Sequence, residues 1–229
     1  MIENAFLPKG ELLDFSEEGA RFFYGEKARA RTVADCIIEP LRRFRVPGGA
    51  VIGACGHETT TPYEIRLSKK DGTEIGVFLT GSHSGEALID AAGLRRPLFV
   101  DPLRPSAAVS SGPKGGGGGG GARGSALTRL NREVYVAIDL ILIAWNKREA
   151  DGLFAALLSQ INSWPDRDLF ASRIKPLNSA LRNSKTHMRN ILWLAAKRYE
   201  NDGELRDIDF PLIRSKLAGE GIDAHEIMF

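Results

Sequence analysis

Four side chains capable of acid–base or nucleophilic chemistry lie close together in the sequence between residues 53 and 85. They are Cys55, His57, Glu58 and His83. Imidazole, carboxylate and thiol groups can transfer protons, attack an electrophile or hold a metal ion. Because no Cys-x-x-Cys or His-x-x-x-His spacing is present, these four residues are interpreted as candidate catalytic residues and no metal site is predicted.

The segment between them, PYEIRLSKKDGTEIGVFLT, alternates apolar and polar residues. This pattern predicts a β-hairpin that turns at Asp71-Gly72. A two-residue loop pairs Leu67 with Gly76, whereas a three-residue loop pairs Leu67 with Ile75. The three-residue loop is preferred because it alone places the alternating apolar residues of both strands on one face.

The preferred register, extended outward, places Thr59 opposite His83 and brings His57, Glu58 and His83 within about 10 Å of one another. We call the group formed by these three residues and Cys55 the hairpin mouth. A helix predicted over SGEALIDAAG, capped by Ser84, would direct its N-terminus toward the same place. The alternative is a polar, glycine-rich loop whose histidines do nothing, with Cys55 as a small buried apolar residue.

A second candidate site is a helix predicted from Ser184 to Gly203. Arg189, Trp193 and Lys197 are spaced four residues apart and therefore share one helical face. Cationic side chains suit phosphates, and an aromatic ring between them suits stacked bases. The predicted nucleic-acid-binding residues are Arg182, Lys185, Arg189, Trp193 and Lys197. The alternative is an ordinary solvated face of a helical bundle.

The elements that must position these residues fall into two halves, separated by residues 105–125, PSAAVSSGPKGGGGGGGARGS. Seven consecutive glycines are entropically costly to order, so this stretch is predicted to be a flexible linker. A phosphate-binding glycine loop would place its lysine after the glycines, but Lys114 precedes them. The predicted fold class is α+β, with a small α+β domain over 1–104 that contains an antiparallel sheet and a helical domain over 126–229.

Local patterns predict the remaining elements. In the first half, AVIGAC and PLFVD are predicted to be strands, and a helix is predicted to begin near Ser16. TVADCIIEPLRRF is either a helix kinked at Pro40 or a strand followed by a short helix that Pro40 opens. The second half contains about five helices, one of which is expected to stop at Pro176. Val134–Ile143 is compatible with either helix or strand.

Composition limits the class of protein. The chain has 229 residues, 43% hydrophobic and 26% charged, with a net charge of +2 and two cysteines. That charge is too balanced to argue for nucleic-acid binding by itself, and two cysteines do not make a disulfide framework. The longest apolar run, Val134–Trp145, is shorter than the ~20 residues of a membrane span. Without a signal peptide, a cytoplasmic protein with no membrane association is expected.

Together these patterns predict a cytoplasmic nucleic-acid-binding protein that cuts or modifies its ligand at the hairpin mouth. Two alternatives remain open at this level: a small-molecule hydrolase or transferase that uses the same mouth, and a non-catalytic assembly subunit whose halves engage separate surfaces. The sequence indicates no particular cofactor and no oligomeric state.

Overall fold

The computed structural model describes residues 21–47, 49–100, 127–147, 150–199 and 208–229. The chain divides into two compact units, 1–99 and 100–229. The first unit contains a small antiparallel sheet and the second is mostly helical, so the predicted α+β class is confirmed. The predicted linker over 105–125 and the helix start at Ser16 lie outside the described residues.

The first unit is built on a four-stranded sheet. The bounds of the elements are α1 Glu26–Asp35, β1 Cys36–Phe44, β2 Val51–Ile52, β3 Glu58–Thr59, β4 Tyr63–Lys69, β5 Glu74–Thr80, α2 Ser82–Ala91 and β6 Phe99–Val100. The strand order of the sheet is β5-β4-β1-β6, and β4 pairs antiparallel with both β1 and β5. Strands β2 and β3 form a separate two-stranded sheet.

Strand β1 continues through Pro40. The predicted strand into Ile38 is therefore confirmed, whereas the helix kinked at Pro40 and the short helix opened by Pro40 are both wrong. The register of β1 against β4 shifts between Pro40 and Arg42. A strand tolerates proline where such an irregularity occurs, because the missing N–H is then not needed for the ladder.

The β4–β5 hairpin has one of the two predicted registers at the turn and the other beyond it. At the turn, Lys69 N donates to Thr73 O at 2.7 Å and Gly72 has φ +89°, as the predicted three-residue loop requires. Beyond the turn, a bulge shifts the register so that Leu67 pairs with Gly76. The predicted pairing of Leu67 with Ile75 is therefore wrong, because one extra residue in β5 changes which of its side chains face the core.

The core of the first unit lies between one face of the sheet and the helices. It includes Tyr63, Ile65, Leu67, Leu88 and Ile89, all almost fully buried. Helix α2 packs very closely on the sheet at Gly85. A Cβ atom added to Gly85 would lie 2.9 Å from Tyr63 Cδ2 and 3.0 Å from Thr80 Cγ2, so only glycine permits this approach.

The N-cap of helix α2 is Gly81 rather than the predicted Ser84. Gly93, with φ +65°, follows its end as predicted.

A second buried feature of the sheet is an ion pair between neighbouring strands. Arg42 on β1 is paired with Glu64 on β4 in the ladder, and Arg42 Nε donates to the Glu64 carboxylate. Their side chains are only 1% and 0% exposed. The Arg42 guanidinium also lies 4.0 Å from the centre of the Phe44 ring.

The second unit contains five helices and a short 3₁₀ turn among its described residues. The bounds are α3 Arg129–Ala144, α4 Gly152–Ser163, α5 Ala171–Asn183, α6 Met188–Arg198, α7 Pro211–Ala218 and the 3₁₀ turn Ala224–Glu226. Val134–Ile143 lies inside α3 and is therefore helical. Helix α3 is buried along most of its length and contacts α4, α6 and α7.

Helix α5 does not stop at Pro176, contrary to the prediction, but continues to Asn183. Proline leaves the carbonyl of Ser172 without its usual N–H partner. Both Ser172 and Pro176 face solvent, where water can bond that carbonyl.

In the part of the chain that the structure describes, no helix combines the length and apolar character that crossing a membrane requires.

Candidate functional site

The hairpin mouth is assembled from the β2–β3 hairpin and the start of α2. His57 lies in the turn between β2 and β3, where Gly53 N donates to His57 O at 2.9 Å. His57 and Glu58 are exposed, whereas Cys55 is only 8% exposed. His83 is the second residue of α2 and is also exposed.

The small hairpin lies against β5 and the start of α2. Ala54 N donates to Leu79 O at 2.7 Å, and Cys55 Sγ donates to Ser84 Oγ at 3.4 Å. Thr59 pairs with Val51 in the β2–β3 ladder, so its predicted pairing with His83 is wrong. A Cβ atom on Gly81 would lie 3.9 Å from Thr59 Cβ, so Thr59 is next to Gly81. Cys55 is thus hydrogen-bonded to the first turn of α2 through Ser84.

Among the described residues, neither the His57 nor the His83 side chain forms a hydrogen bond or ion pair. Both imidazoles are therefore open to solvent. Cys55 has the burial of a small core residue. The catalytic role of His57, Glu58, His83 and Cys55 stays a prediction.

A polar network that the sequence reasoning missed surrounds the first turns of α2. Arg43 Nη1 donates to Tyr63 Oη at 3.1 Å, and Arg43 Nη2 donates to Ser82 Oγ at 3.1 Å. Tyr63 Oη donates to Glu86 Oε1 at 3.1 Å, and Arg96 Nη1 lies 2.6 Å from Glu86 Oε2. We call these five residues the Arg43 network.

Tyr63 is kept in its neutral form mainly by its burial. Burial is the largest cause that raises the pKa of Tyr63 to about 12; the Glu86 carboxylate adds to this shift and the Arg43 guanidinium opposes it. The phenol is therefore a hydrogen-bond donor over the whole physiological range. Because the members bond to one another, the network mainly fixes α2 to the sheet.

The helical unit presents the predicted aromatic and basic residues on the surface of α6. Trp193 is 57% exposed, and Lys197 Nζ lies 3.9 Å from the centre of its ring. Arg189, one turn earlier, is also exposed. We call Arg189, Trp193 and Lys197 the α6 basic face.

The segment that carries this face is strongly basic. Residues 171–198 contain seven lysines and arginines and no aspartate or glutamate. Arg182 is engaged by Glu226, with Nη2 and Oε1 2.8 Å apart. Lys185, in the turn before α6, and both cations of the α6 basic face enter no ion pair within the described residues.

A pocket of about 430 Å³ lies elsewhere on the helical unit. It combines four ionisable side chains with apolar and small residues. Its lining is Arg129, Leu130, Asp168, Leu212, Ser215, Lys216, Gly219 and Glu220. No sequence motif predicts this pocket, because its residues come from three separated segments.

Within the described residues, no group of three or more His, Cys, Asp or Glu side chains is arranged to hold a metal ion. Both cysteines are free thiols.

The chain belongs to the family described as "Uncharacterised conserved protein UCP028583", which matches residues 52–220. The matched range contains the hairpin mouth, the α6 basic face and every residue of the pocket. No curated protein and no solved structure was found to match.

Proposed function

We propose that this protein binds single-stranded nucleic acid through the α6 basic face. The observation that carries the proposal is an exposed tryptophan ring flanked on one helical face by two cations that have no acidic partner in the described structure. Large aromatic rings are normally buried, so an exposed one between unpaired cations favours a ligand with both π-faces and negative charge.

The geometry favours unpaired bases over a duplex. The cation of Lys197 rests on the Trp193 ring and restricts its orientation, which reduces the entropy lost when a base stacks there. Stacking of a base on an aromatic side chain contributes about 1–3 kcal/mol and needs a base that is free of its partner. Arg189 and Lys185 would contact the phosphates on either side, as would Lys197.

The catalytic part of the proposal concerns the hairpin mouth. We propose that His57, Glu58 and His83 cut or modify the bound strand. Their exposure supports this role, because it leaves them accessible to a ligand. The two free thiols fit the reducing cytoplasm that we propose as the compartment of the protein.

The stacking step is tested with a pair of tryptophan variants. Trp193→Ala should weaken binding of a labelled single-stranded oligonucleotide about tenfold, measured by fluorescence anisotropy. Trp164→Ala is the matched control, because Trp164 is 54% exposed but lies outside the basic segment, and it should bind as the unchanged protein does. Equal binding of duplex and single strand, unaffected by Trp193→Ala, would reject stacking.

The phosphate contacts are tested by charge reversal. Arg189→Glu with Lys197→Glu should nearly abolish binding, and binding by the unchanged protein should weaken steeply as salt rises. Lys147→Glu with Arg167→Glu changes the net charge equally at exposed positions outside 171–198 and should have a much smaller effect. Absence of binding at low salt, or equal loss in both double variants, would contradict the proposal.

A further inference from the structure

The pocket of the helical unit has one wall that is fixed by a buried amide. Asn131, in the first turn of α3, is fully buried. Its Nδ2 donates to Arg167 O at 2.7 Å, and its Oδ1 accepts a hydrogen bond from Leu169 N at 3.0 Å. These two bonds hold the residues on both sides of Asp168, so the position of its backbone at the pocket is set from α3.

A second part of the pocket wall is fixed from the same helix. Glu133 Oε2 accepts hydrogen bonds from Leu212 N at 2.9 Å and from Ile213 N at 3.0 Å, at the start of α7. Leu212 lines the pocket, and Ser215 and Lys216 follow one turn later. Two polar side chains of α3 therefore hold two parts of the pocket wall before any ligand arrives, which is how a binding site is preorganised.

The charges that line the pocket are not neutralised by one another. Glu220 is engaged by Lys175, with Oε2 and Nζ 3.1 Å apart. In the described part of the chain, Arg129, Lys216 and Asp168 enter no ion pair. Two cations and one anion thus remain around a cavity whose apolar surface comes from Leu130 and Leu212.

We propose that this pocket binds a free α-amino acid. The ligand carboxylate lies toward Arg129 and Lys216, its ammonium group toward Asp168, and its side chain on the two leucines. A volume of about 430 Å³ is within the range of roughly 300–1,000 Å³ for small-molecule sites. The inference rests on the pocket alone and is independent of nucleic-acid binding at α6.

The mixed charges select a zwitterion over singly charged ligands. A simple anion would pair with Arg129 and Lys216 but would approach Asp168, whereas a simple amine would meet the opposite problem. A ligand that carries both charges on one carbon atom, with an apolar group attached, satisfies all three side chains.

The ligand class is tested by titrating the full chain with each of the twenty common L-amino acids in a calorimeter. At least one should bind. Its deaminated analogue, which keeps only the carboxylate, and its decarboxylated analogue, which keeps only the amine, should each bind at least tenfold more weakly. Binding of none of the twenty, or of either analogue as tightly as the amino acid, overturns the proposal.

The site is tested with neighbouring variants of the same chemical change. Asp168→Asn and Arg129→Gln should each weaken binding of that amino acid at least tenfold without changing the unfolding temperature, since both side chains are exposed. Asp166→Asn and Arg167→Gln are exposed controls that do not line the pocket and should bind normally. Unchanged binding in Asp168→Asn, or equal losses in the controls, overturns the assignment.

Discussion

One set of charged side chains in the first unit and another in the second differ in how they are paired. In the first unit, the Arg43 network and the Arg42–Glu64 pair satisfy charges within the fold. In the second unit, cations of the α6 basic face and three charges at the pocket have no ion-pair partner among the described residues. Internally paired charges stabilise the sheet and α2, whereas unpaired ones remain available to a ligand.

The contrast reflects two different free-energy costs of placing a charged side chain in a fold. A buried ion pair gives up hydration and recovers it only through its partner, so it contributes to one defined packing more than to net stability. An exposed unpaired charge keeps its hydration and costs the fold little. Substitutions in the Arg42–Glu64 pair and the Arg43 network should therefore act on the free energy of unfolding, and substitutions in the α6 basic face and at the pocket should act on binding.

The largest effect is expected at the buried pair. Glu64→Gln removes the negative charge that Arg42 faces inside the sheet while keeping nearly the same volume. We expect a loss of about 3 kcal/mol in the free energy of unfolding, measured by urea denaturation.

Glu39→Gln provides the matched comparison. Glu39 is paired across the same two strands with Arg66, but their side chains are 29% and 21% exposed. The expected loss is below about 1 kcal/mol, because water screens the pair. Similar losses in the two variants would show that burial does not separate the pairs.

A smaller effect is expected where a neutral buried group holds a functional surface. Asn131→Ala removes the two strong hydrogen bonds to the segment around Asp168 and leaves buried backbone groups without partners. We expect a loss of about 2 kcal/mol in stability, together with weaker binding at the pocket. Asn190→Ala, at an exposed position on α6, is the control. Normal ligand binding by a destabilised Asn131→Ala would mean that the amide supports the fold only.

The smallest expected effect is the contribution of Tyr63 to the pH dependence of the free energy of unfolding. Its folded pKa, about 12, exceeds the ordinary value of 10.0, so the folded state keeps the proton more tightly. The resulting stabilisation is fully present below pH 10 and is lost as pH rises toward 12. Tyr63→Phe should cost about 1 kcal/mol at pH 8 and should show a shallower decline in stability above pH 10. Identical slopes in the two proteins would contradict this assignment.

Local patterns predicted the elements well where a single stretch determines them. The Asp71-Gly72 turn, the helix end at Gly93 and the exposure of Trp193 all follow from neighbouring residues. The predictions at Pro40 and Pro176 were wrong because the cost of an interior proline depends on its surroundings. A strand irregularity removes the need for the N–H of Pro40, and solvent can bond the carbonyl that Pro176 leaves without its usual partner.

The sites depended on contacts that no local pattern contains. Arg43 meets Tyr63 and Ser82 across 20 and 39 residues of chain, so their bonds could be found only from the strand register and the helix position. The pocket likewise needs α3, α7 and the segment around Asp168 in place. The α6 basic face is different because its three residues belong to a single helix, and a spacing of four residues suffices to align them.

The bulge in β5 has a consequence for variation in chain length. Lys69 and Thr73 follow the register of the turn, whereas Leu67 and Gly76 follow the register of the core, and Ile75 takes up the difference. Deleting Ile75 would join the two registers without moving any residue of β4 to the other face. Deleting a residue from the middle of β4 would reverse half of that strand. A one-residue deletion therefore preserves the side-chain orientation of the hairpin when it falls at the bulge in β5, but not when it falls in the middle of β4.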